Sequence, residues 1–315
     1  SVDDILAKVN EAIKIYMEAK SKYVWQQFVN AVFKINLNYK FGNDLTKNEI
    51  ENLLAGIEDK YSNGPYLHMW DTSRQIKKDK EKMKFFEDNL DAEIYYFYRK
   101  DRNNENIKKF LTDFIDLYGY HSFDESDLIF KTYDEEILKV IKTFRDILDL
   151  GDMYDPLKDL KEQNKAYEKS LEKLQGILKP AQYKNAIKHI EFVRELQKKE
   201  YALKDLSLIC RARLRKALLQ HGKNLKDKYI IESEEDVFFL DYHDIVNKRD
   251  TDDIKNIVNK NKIYYNSFRN YIPQSDIFPC LKHQIQIDYR KNLKGIGASF
   301  GKISGRACVI NSKDD

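Results

Sequence analysis

The stretch PAQYKNAIKHIEFVRELQKKEYALKDLSLICRARLRKALLQHG, residues 180–222, is the longest run in this sequence whose apolar residues recur at helical spacing. Pro180 suits the first turn of a helix, and Gly222 is typical of the position just beyond a last turn. The stretch therefore predicts one helix of about 40 residues, Pro180–His221. Its buried face is predicted from positions three, four or seven residues apart: Phe192, Leu196, Leu203, Leu206, Cys210 and Ala217.

Most of the remaining chain has the same helical character. With only 11 glycines and 5 prolines in 315 residues, the composition favours long helices over a sandwich or a barrel. Asp236–Asp241 is predicted to be a short strand or extended segment. Apolar periodicity, capping residues and breakers predict further helices at Val2–Phe41, Glu49–Ile57, Pro65–Asp79, Asp91–Lys100, Glu105–Leu117, Asp134–Leu148, Leu157–Ile177 and Asp252–Tyr271.

The overall composition is that of a globular protein and excludes several classes of partner. Hydrophobic residues make up 42% and charged residues 34% of the chain, which is unlike a disordered protein. The 55 basic and 52 acidic residues leave a net charge of +3, so no global field attracts nucleic acid. No apolar run approaches the ~20 residues that span a bilayer, and no signal peptide opens the chain. We therefore expect neither a nucleic-acid nor a membrane partner.

The cysteines bear on the cellular compartment. Cys210, Cys280 and Cys308 are odd in number and far apart in sequence, which argues against a disulfide framework. Such usage suits a reducing environment, so we expect a cytoplasmic protein.

The carboxy-terminal stretch Gly295–Ile310 differs from everything before it. Four glycines fall within residues 295–305, and the run closes on the strand-like Ala307–Ile310. A strand without partners leaves its backbone donors and acceptors unpaired, and the chain stops at Asp315, too soon for a sheet to form around it. We therefore expect this chain to be one part of a larger polypeptide.

Gly295–Ile310 also resembles the start of the swivelling phosphohistidine domain of phosphoenolpyruvate-utilising enzymes, although Phe300 stands where those proteins usually have proline. Other segments resemble theirs in the same order over roughly residues 45–310. The order is similar to that of rifampicin phosphotransferases and phosphoenolpyruvate-synthase-like proteins. The segments are Leu53–Gly56, Leu67–Trp70, Leu117–Glu125, Glu232–Leu240 with Asp241–Ile245, and Arg269–Leu281.

This resemblance implies a mainly α fold. Residues 1–290 would form a multi-helix middle domain, with an internal boundary near 150–155, and residues 291–315 would be a short β tail from a truncated phosphohistidine domain. The helical domain would bind a small-molecule phosphoryl acceptor and link a preceding ATP-grasp domain to the phosphohistidine domain. ATP and Mg²⁺ are then expected for the full-length protein, with no cofactor bound by this part.

The chain alone is expected to be catalytically incomplete. The carrier histidine of the resembling proteins would lie beyond Asp315, so no residue here is assigned that role. The sequence has no Walker phosphate loop, no His-Glu-x-x-His or Cys-x-x-Cys pattern and no serine nucleophile elbow. Its six histidines are scattered without metal-ligand spacing, so we expect no metal site.

The best candidate for an acceptor pocket is the segment that follows the predicted helix ending at Leu117. Gly119 frees the backbone at the turn, and a titratable histidine stands among carboxylates such as Glu125 and Asp127. An arginine is common near this point in the resembling proteins and is replaced here. The structural alternative is a helix-ending loop whose histidine caps backbone carbonyls. The candidate acceptor-binding residues of this segment are Tyr118, Tyr120, His121 and Asp124.

Two further groups are candidates for the same role. Tyr95 and Tyr98 bound the densest aromatic cluster, which is either ligand-facing or, more commonly for such a stripe, core packing. Arg211 and Arg215 are four residues apart on one helix face, where paired guanidinium groups can bind phosphate or carboxylate. The structural alternative pairs them with the acidic run Glu232–Asp236.

Two functions from different classes follow. The first is the acceptor-binding, linking domain of an ATP-dependent phosphotransferase that acts on a drug-like hydroxyl compound rather than on pyruvate. The second is a non-catalytic helical interaction or scaffold protein. A groove lined by tyrosine and phenylalanine would favour the first, and natural chain ends close to these would favour the second. Binding of single-stranded nucleic acid through stacked tyrosines is disfavoured by the balanced charge.

Overall fold

The chain is mainly helical in a computed structural model that describes residues 2–57, 64–150, 155–246 and 251–268. Within these ranges the β structure is a bridge between Ser122 and Thr132. The helices are α1 (Val2–Phe41), α2 (Lys47–Asn52), α3 (Gly64–Lys78), α4 (Lys80–Asp88), α5 (Asp91–Lys100), α6 (Glu105–Ile107), a π-helical turn (Lys108–Thr112), α7 (Asp113–Tyr118), α8 (Ile137–Leu150), α9 (Pro156–Ile177), α10 (Pro180–Asp227), a 3-10 helix (Glu234–Phe239), α11 (Tyr242–Val246) and α12 (Thr251–Phe268).

The predicted mainly α class is confirmed. The predicted β tail at 291–315 and the end of the last predicted helix lie outside the described residues, and so do residues 151–154 of the internal boundary predicted near 150–155.

Helices α1 and α10 form an antiparallel pair along most of their length. The start of α1 packs near the end of α10, where Val9 meets Leu214, and the end of α1 packs near the start of α10, where Leu37 meets Ile190. Between these ends the Asn30 amide donates to the Leu196 carbonyl oxygen at 3.3 Å. The 48 residues of α10 span about 72 Å at 1.5 Å per residue, so this pair is the long axis of the described structure.

The buried apolar side chains of the described residues fall into three clusters. Cluster A is built by α3 to α8 and the residues between them, cluster B by α1, α2, α9 and the start of α10, and cluster C by α1, the end of α10, the 3-10 helix, α11 and α12. Each fully buried aliphatic or aromatic side chain contributes about 1.5–3 kcal/mol. Central members are Met69, Ile94, Phe114 and Phe144 in A; Leu37, Leu53, Leu174 and Ile190 in B; and Val9, Leu214, Val237 and Ile254 in C.

The predicted end of α10 at His221 is wrong, because the helix passes through Gly222 and ends at Asp227. Tyr229 takes the left-handed conformation, φ 59°, and the Ile230 amide donates to the Leu225 carbonyl oxygen at 2.9 Å. This is a Schellman ending with tyrosine where glycine is usual. Gly222 serves a different purpose: a Cβ there would lie 2.1 Å from the Glu234 carbonyl oxygen, so glycine lets the 3-10 helix approach α10.

Other local predictions also need correction. Most of Asp236–Asp241 is not extended, because Ser233 starts a 3-10 helix that runs to Phe239. The Ser233 side chain accepts from the Glu235 amide at 3.3 Å, and the Ser233 amide donates to Asp236 Oδ2 at 3.2 Å. Helix α4 was missed, and its start is capped by Asp79. The helix predicted at Glu49–Ile57 is observed at Lys47–Asn52.

The predicted buried face of α10 is only partly correct. Leu196 and Cys210 are buried, but Phe192 and Leu206 are 49% and 45% exposed. A single stripe fails because α10 packs against different elements along its length, so the buried side rotates around the helix.

Candidate functional site

A cleft of about 410 Å³ opens where the start of α3, the segment after α7 and the middle of α10 meet. Its walls come from both cluster A and the long helix pair. This position resembles the junctions between packed bodies at which ligand sites are commonly found. The lining residues are Pro65, Tyr66, His121, Ser122, Phe123, Asp124, Glu125, Tyr133, Tyr201, Lys204, Asp205 and Leu208.

The segment that carries His121 is a closed loop, residues 119–136, between α7 and α8. The Tyr133 amide donates to the His121 carbonyl oxygen at 2.7 Å, and the Asp134 amide donates to that of Gly119 at 3.1 Å. The Ser122 hydroxyl donates to the Lys131 carbonyl oxygen at 2.6 Å. These bonds satisfy the backbone of a segment that has no long strand or helix of its own, and they fix the direction of the His121 side chain.

His121 is held between two carboxylates. Its Nδ1 lies 3.0 Å from Glu125 Oε1, and its Nε2 lies 3.4 Å from Asp205 Oδ1 on α10. Lys204 Nζ contacts the other Glu125 oxygen at 2.9 Å, so Glu125 is fixed from two sides. The predicted alternative, in which His121 caps backbone carbonyls, is wrong, because the ring nitrogens face side-chain carboxylates.

The carboxylates dominate the electrostatics of this group. Burial alone would lower the pKa of His121, but hydrogen bonds to Asp205 and Glu125 outweigh it, and the pKa is raised above its usual value. Burial likewise opposes the charge of Glu125, yet His121 and Lys204 lower its pKa. Burial also opposes the charge of Lys204, but the hydrogen bond to Glu125 outweighs it, and the pKa of Lys204 is raised. The cluster therefore stabilises an imidazolium between carboxylates.

Tyrosine rings surround the imidazole. The Tyr120 ring centroid lies 4.7 Å from that of His121, and the Tyr120 hydroxyl donates to Asp205 Oδ1 at 2.7 Å. The ring centroids of Tyr118 and Tyr133 lie 6.0 and 6.1 Å from that of His121. Burial raises the pKa of Tyr133, so it stays protonated. Tyr118 and Tyr120 thus support His121 from behind, while the cleft wall itself carries Tyr66, Tyr133 and Tyr201.

Asp124 lies at the exposed rim of the cleft. Hydrogen bonds from the Ser126 side chain and amide lower the pKa of Asp124, so its carboxylate is ionised at neutral pH. The structure brings together four predicted residues around one cleft, His121, Tyr118, Tyr120 and Asp124.

Tyr95 and Tyr98 are not part of this cleft. Tyr98 is buried in cluster A, with the Arg102 guanidinium 5.1 Å from its ring centroid, and Tyr95 packs against the same cluster. Their arrangement matches the core-packing alternative.

Arg211 and Arg215 fasten the 119–136 loop to α10. Arg215 is 1% exposed, and its Nε and Nη2 donate to the two Glu135 oxygens at 2.7 and 3.0 Å. Its Nη1 donates to the Leu128 and Ile129 carbonyl oxygens at 2.6 and 3.2 Å. The predicted pairing with Glu232–Asp236 is wrong for Arg215, because its carboxylate partner comes from the loop instead.

Arg211 is buried beside the same loop. Its Nη2 donates to the carbonyl oxygens of Asp127 and Phe130, and burial lowers the pKa of its guanidinium. Neither arginine lines the cleft around His121. Both therefore support the loop rather than form a phosphate-binding pair in that cleft.

Asp205 is the main site residue that sequence reasoning missed. One signal was present: Asp205 stands three residues before the apolar Leu208, so the two share one side of the predicted helix. Polar residues on a buried helix side need partners, and such positions deserve a search for charges elsewhere in the chain.

The described residues contain no group of His, Cys, Asp and Glu side chains arranged to hold a metal ion. None of the helices within the described ranges is both long and apolar enough to cross a bilayer.

The comparisons with known proteins identify a family for the helical part. No curated protein matches the chain. The family described as rifampicin phosphotransferase fourth domain matches residues 23–197, more than half of the 315 residues, including the second half of α1, the 119–136 loop and the first part of α10. The helical fold agrees with this match. The chain belongs to the rifampicin phosphotransferase fourth-domain family and is related to phosphotransferases of the phosphoenolpyruvate-utilising type.

Proposed function

We propose that the cleft around His121 binds the hydroxyl compound that accepts a phosphoryl group in an ATP-dependent phosphotransferase, and that this chain links its ATP-grasp and phosphohistidine domains. The observation that carries the proposal is the imidazole of His121, held between Glu125 and Asp205 on the wall of an open cleft. Family membership supports the class of reaction.

The geometry suits a general base for the acceptor hydroxyl. Glu125, fixed by Lys204, orients the imidazole through Nδ1 at 3.0 Å, as the third member of a catalytic triad does. The Nε2–Asp205 separation of 3.4 Å is long for a hydrogen bond, so an acceptor hydroxyl can replace Asp205 as the partner of Nε2. The neighbouring carboxylates raise the imidazole pKa, so the neutral form of His121 is a stronger base.

The proposed step balances without a further reactant. The acceptor oxygen attacks the phosphorus of a phosphohistidine presented at the mouth of the cleft. The oxygen–phosphorus bond forms, the nitrogen–phosphorus bond of the carrier breaks, and the acceptor proton moves to Nε2 of the neutral form of His121. The carrier imidazole leaves with the electron pair of the broken bond.

The cleft walls favour an acceptor with an aromatic or apolar body. Tyr66, Phe123, Tyr133 and Tyr201 supply ring surfaces, and Asp124 and Lys204 supply opposite charges at the rim. The volume of about 410 Å³ falls within the range of small-molecule pockets, ~300–1,000 Å³. A planar hydroxylated compound matches this combination better than a small carboxylate such as pyruvate, which has no ring to pack against these walls.

The test is His121→Ala in the polypeptide that carries the flanking domains. Acceptor phosphorylation should fall by about 10²–10⁴, the usual contribution of a general base, while phosphorylation of the carrier histidine from ATP stays unchanged. His243→Ala is the control, because His243 is exposed and lies outside the cleft. Equal losses in both half-reactions, or an unchanged rate of acceptor phosphorylation, would contradict the proposal.

A non-catalytic interaction protein is the second candidate, and one observation favours it. Helix α1 exposes a row of large apolar side chains, among them Trp25 and Ile35, which suggests a binding surface. A chain that binds no hydroxylated aromatic compound in calorimetry, with or without His121, would favour this second function.

A further inference from the structure

One oxygen of the Asp205 carboxylate faces two partners. The Tyr120 hydroxyl donates to Asp205 Oδ1 at 2.7 Å, whereas Nε2 of His121 lies 3.4 Å from the same oxygen. The first distance is typical of a good hydrogen bond, and the second is longer than the ~2.7–3.2 Å of most N–H···O bonds. Asp205 therefore binds the tyrosine hydroxyl more closely than it binds the imidazole.

Tyr120 does not line the cleft, although both His121 and Asp205 do. Its ring packs beside the imidazole, with the ring centroids 4.7 Å apart and the planes inclined by 31°. The Asp205 side chain is 12% exposed and stands on the cleft wall. An effect of the Tyr120 hydroxyl on a molecule in the cleft therefore passes through Asp205 and His121.

The charge state of His121 decides which donors Asp205 has. Nδ1 lies 3.0 Å from Glu125 Oε1, so a proton on Nδ1 is favoured in both the charged and the neutral ring. In the neutral ring Nε2 then carries a lone pair and has no hydrogen to give to a carboxylate. The Tyr120 hydroxyl is a donor that stays with Asp205 in this state, and the loss of a donor by a buried carboxylate is costly.

The two carboxylates that contact His121 differ in their other partners. Glu125 has a cation of its own, because Lys204 Nζ lies 2.9 Å from its Oε2. Among the described residues Asp205 pairs with no lysine or arginine, so its one cationic partner is the imidazolium. The ionisable side chains in contact with His121 or with its carboxylates are Tyr118 at the end of α7, Tyr120, Glu125 and Tyr133 of the loop, and Lys204 and Asp205 of α10.

We propose that Tyr120 is a positioning residue whose hydroxyl keeps the Asp205 carboxylate from closing on Nε2 of His121. The nitrogen then stays available to the acceptor hydroxyl, so this role rests on the function proposed above. Loss of the hydroxyl has two effects of the same sign. Asp205 can close on a protonated Nε2, and a neutral ring faces a carboxylate that has lost its donor. Both effects favour the imidazolium and raise the pKa of His121.

NMR titration of the histidine rings in the 315-residue chain tests this role without an acceptor. Tyr120→Phe keeps the ring beside the imidazole and removes only the hydroxyl. We expect the midpoint of the His121 titration to move up by at least about 0.5 pH unit, a modest part of what a carboxylate in contact can cause. The His121 signals are assigned by their absence in His121→Gln. A midpoint that is unchanged or lower would overturn the proposal.

Tyr133→Phe is the matched control. It also removes a hydroxyl from a ring near the imidazole, at 6.1 Å between centroids, but that hydroxyl bonds to Tyr66. The His121 midpoint should therefore move less than in Tyr120→Phe. An equal rise in both variants would mean that the bond to Asp205 is not the cause, and it would overturn the proposal.

Asp205→Asn shows whether the effect passes through the carboxylate. This variant should lower the His121 midpoint by about 1 pH unit or more, because the imidazolium loses an opposite charge. In the Asp205→Asn background, Tyr120→Phe should no longer raise the midpoint, since residues that act through one another are not additive. A rise as large as in the wild-type background would overturn the proposal.

The two proposals fail separately, because the titration uses no acceptor. Unchanged acceptor phosphorylation in His121→Ala would contradict the function proposed above. An unchanged midpoint in Tyr120→Phe would contradict the role of Tyr120 alone.

Discussion

Arg215 and His121 are both buried, both contact carboxylates, and both join the 119–136 loop to α10, yet their surroundings differ. Arg215 donates to Glu135 and to two backbone carbonyl oxygens, and the Phe238 ring lies 4.7 Å from its guanidinium carbon. His121 touches two carboxylates, one of them at the long distance of 3.4 Å, and it borders an open cleft.

The difference separates a structural contact from a site that can exchange partners. Arg215 makes four hydrogen bonds within the folded chain and is 1% exposed, so it is not accessible to a ligand. The two carboxylates raise the pKa of His121, and its Nε2 has a long contact of 3.4 Å, to Asp205, beside the open cleft. Burial of charge alone therefore does not mark a functional site; the combination of titration and access does.

The largest expected effect is the loss of the Arg215 contacts. Arg215→Ala removes the cationic partner of Glu135, which keeps only its Thr132 donors, and it removes the donor to the Leu128 and Ile129 carbonyl oxygens. We expect the free energy of unfolding to fall by about 3–5 kcal/mol in urea titrations. The neighbouring Lys216→Ala is the control, because the Lys216–Asp134 pair is exposed and should be worth about 0–1 kcal/mol. Equal losses in the two variants would remove the contrast between the arginine and ordinary surface pairs.

A smaller loss is expected at His121. Removal of the imidazole in His121→Ala leaves Glu125 with Lys204 and Asp205 with Tyr120, so neither carboxylate is orphaned. We expect a fall of about 1–3 kcal/mol in the same titration, which is the usual range for a buried hydrogen-bonding group that loses its partner. A loss as large as that of Arg215→Ala would mean that His121 is mainly a structural residue.

The smallest expected effect is the dependence of stability on pH. Because folding raises the pKa of His121, its stabilising contribution is complete below the unfolded value of about 6.5 and is lost as pH rises through the folded value. Burial lowers the pKa of His68, His189 and His221, so their contributions run the other way and are lost as pH falls below about 6.5.

A comparison of the wild-type protein with His121→Gln isolates the contribution of His121 to the pH dependence of stability. Thermal unfolding between about pH 6 and 8, the interval around the imidazole titration, should show a decline in the wild type that is smaller in the variant. Parallel curves for the two proteins would mean that the carboxylates do not hold the imidazolium.

Local sequence signals were enough for most of the helices. Asp91–Lys100 was predicted with its observed bounds, and Pro180 and the breaks after Phe41 and Ile177 were also placed correctly. Two failures have local signals that were overlooked, the caps Asp79 and Ser233, whereas the end of α10 was misplaced because a tertiary contact overrides a local rule. Gly222 is a stop signal by itself, but in the fold it is a point of close approach within a continuing helix.

Only those residues of the candidate site that are close together in sequence could be predicted. Tyr118, Tyr120, His121 and Asp124 are close in sequence, whereas Asp205 reaches His121 across 84 residues. The partner of Arg215 was misassigned for the same reason: Glu135 lies 80 residues away, while the acidic run after α10 lies nearby in sequence. Contacts over such separations depend on how the helices pack, which a single sequence does not reveal.

The division of the apolar residues into three clusters has a consequence for amide hydrogen exchange. Within the described residues, α1 and α10 contribute to both B and C, whereas cluster A contains no residue of either helix. Amides at the centre of α10 should therefore exchange only when B and C open together, while those of α3 to α8 can exchange through a separate opening of A. A molecule in the cleft would touch Tyr66 on one side and Lys204 on the other, and so would slow exchange in both units at once.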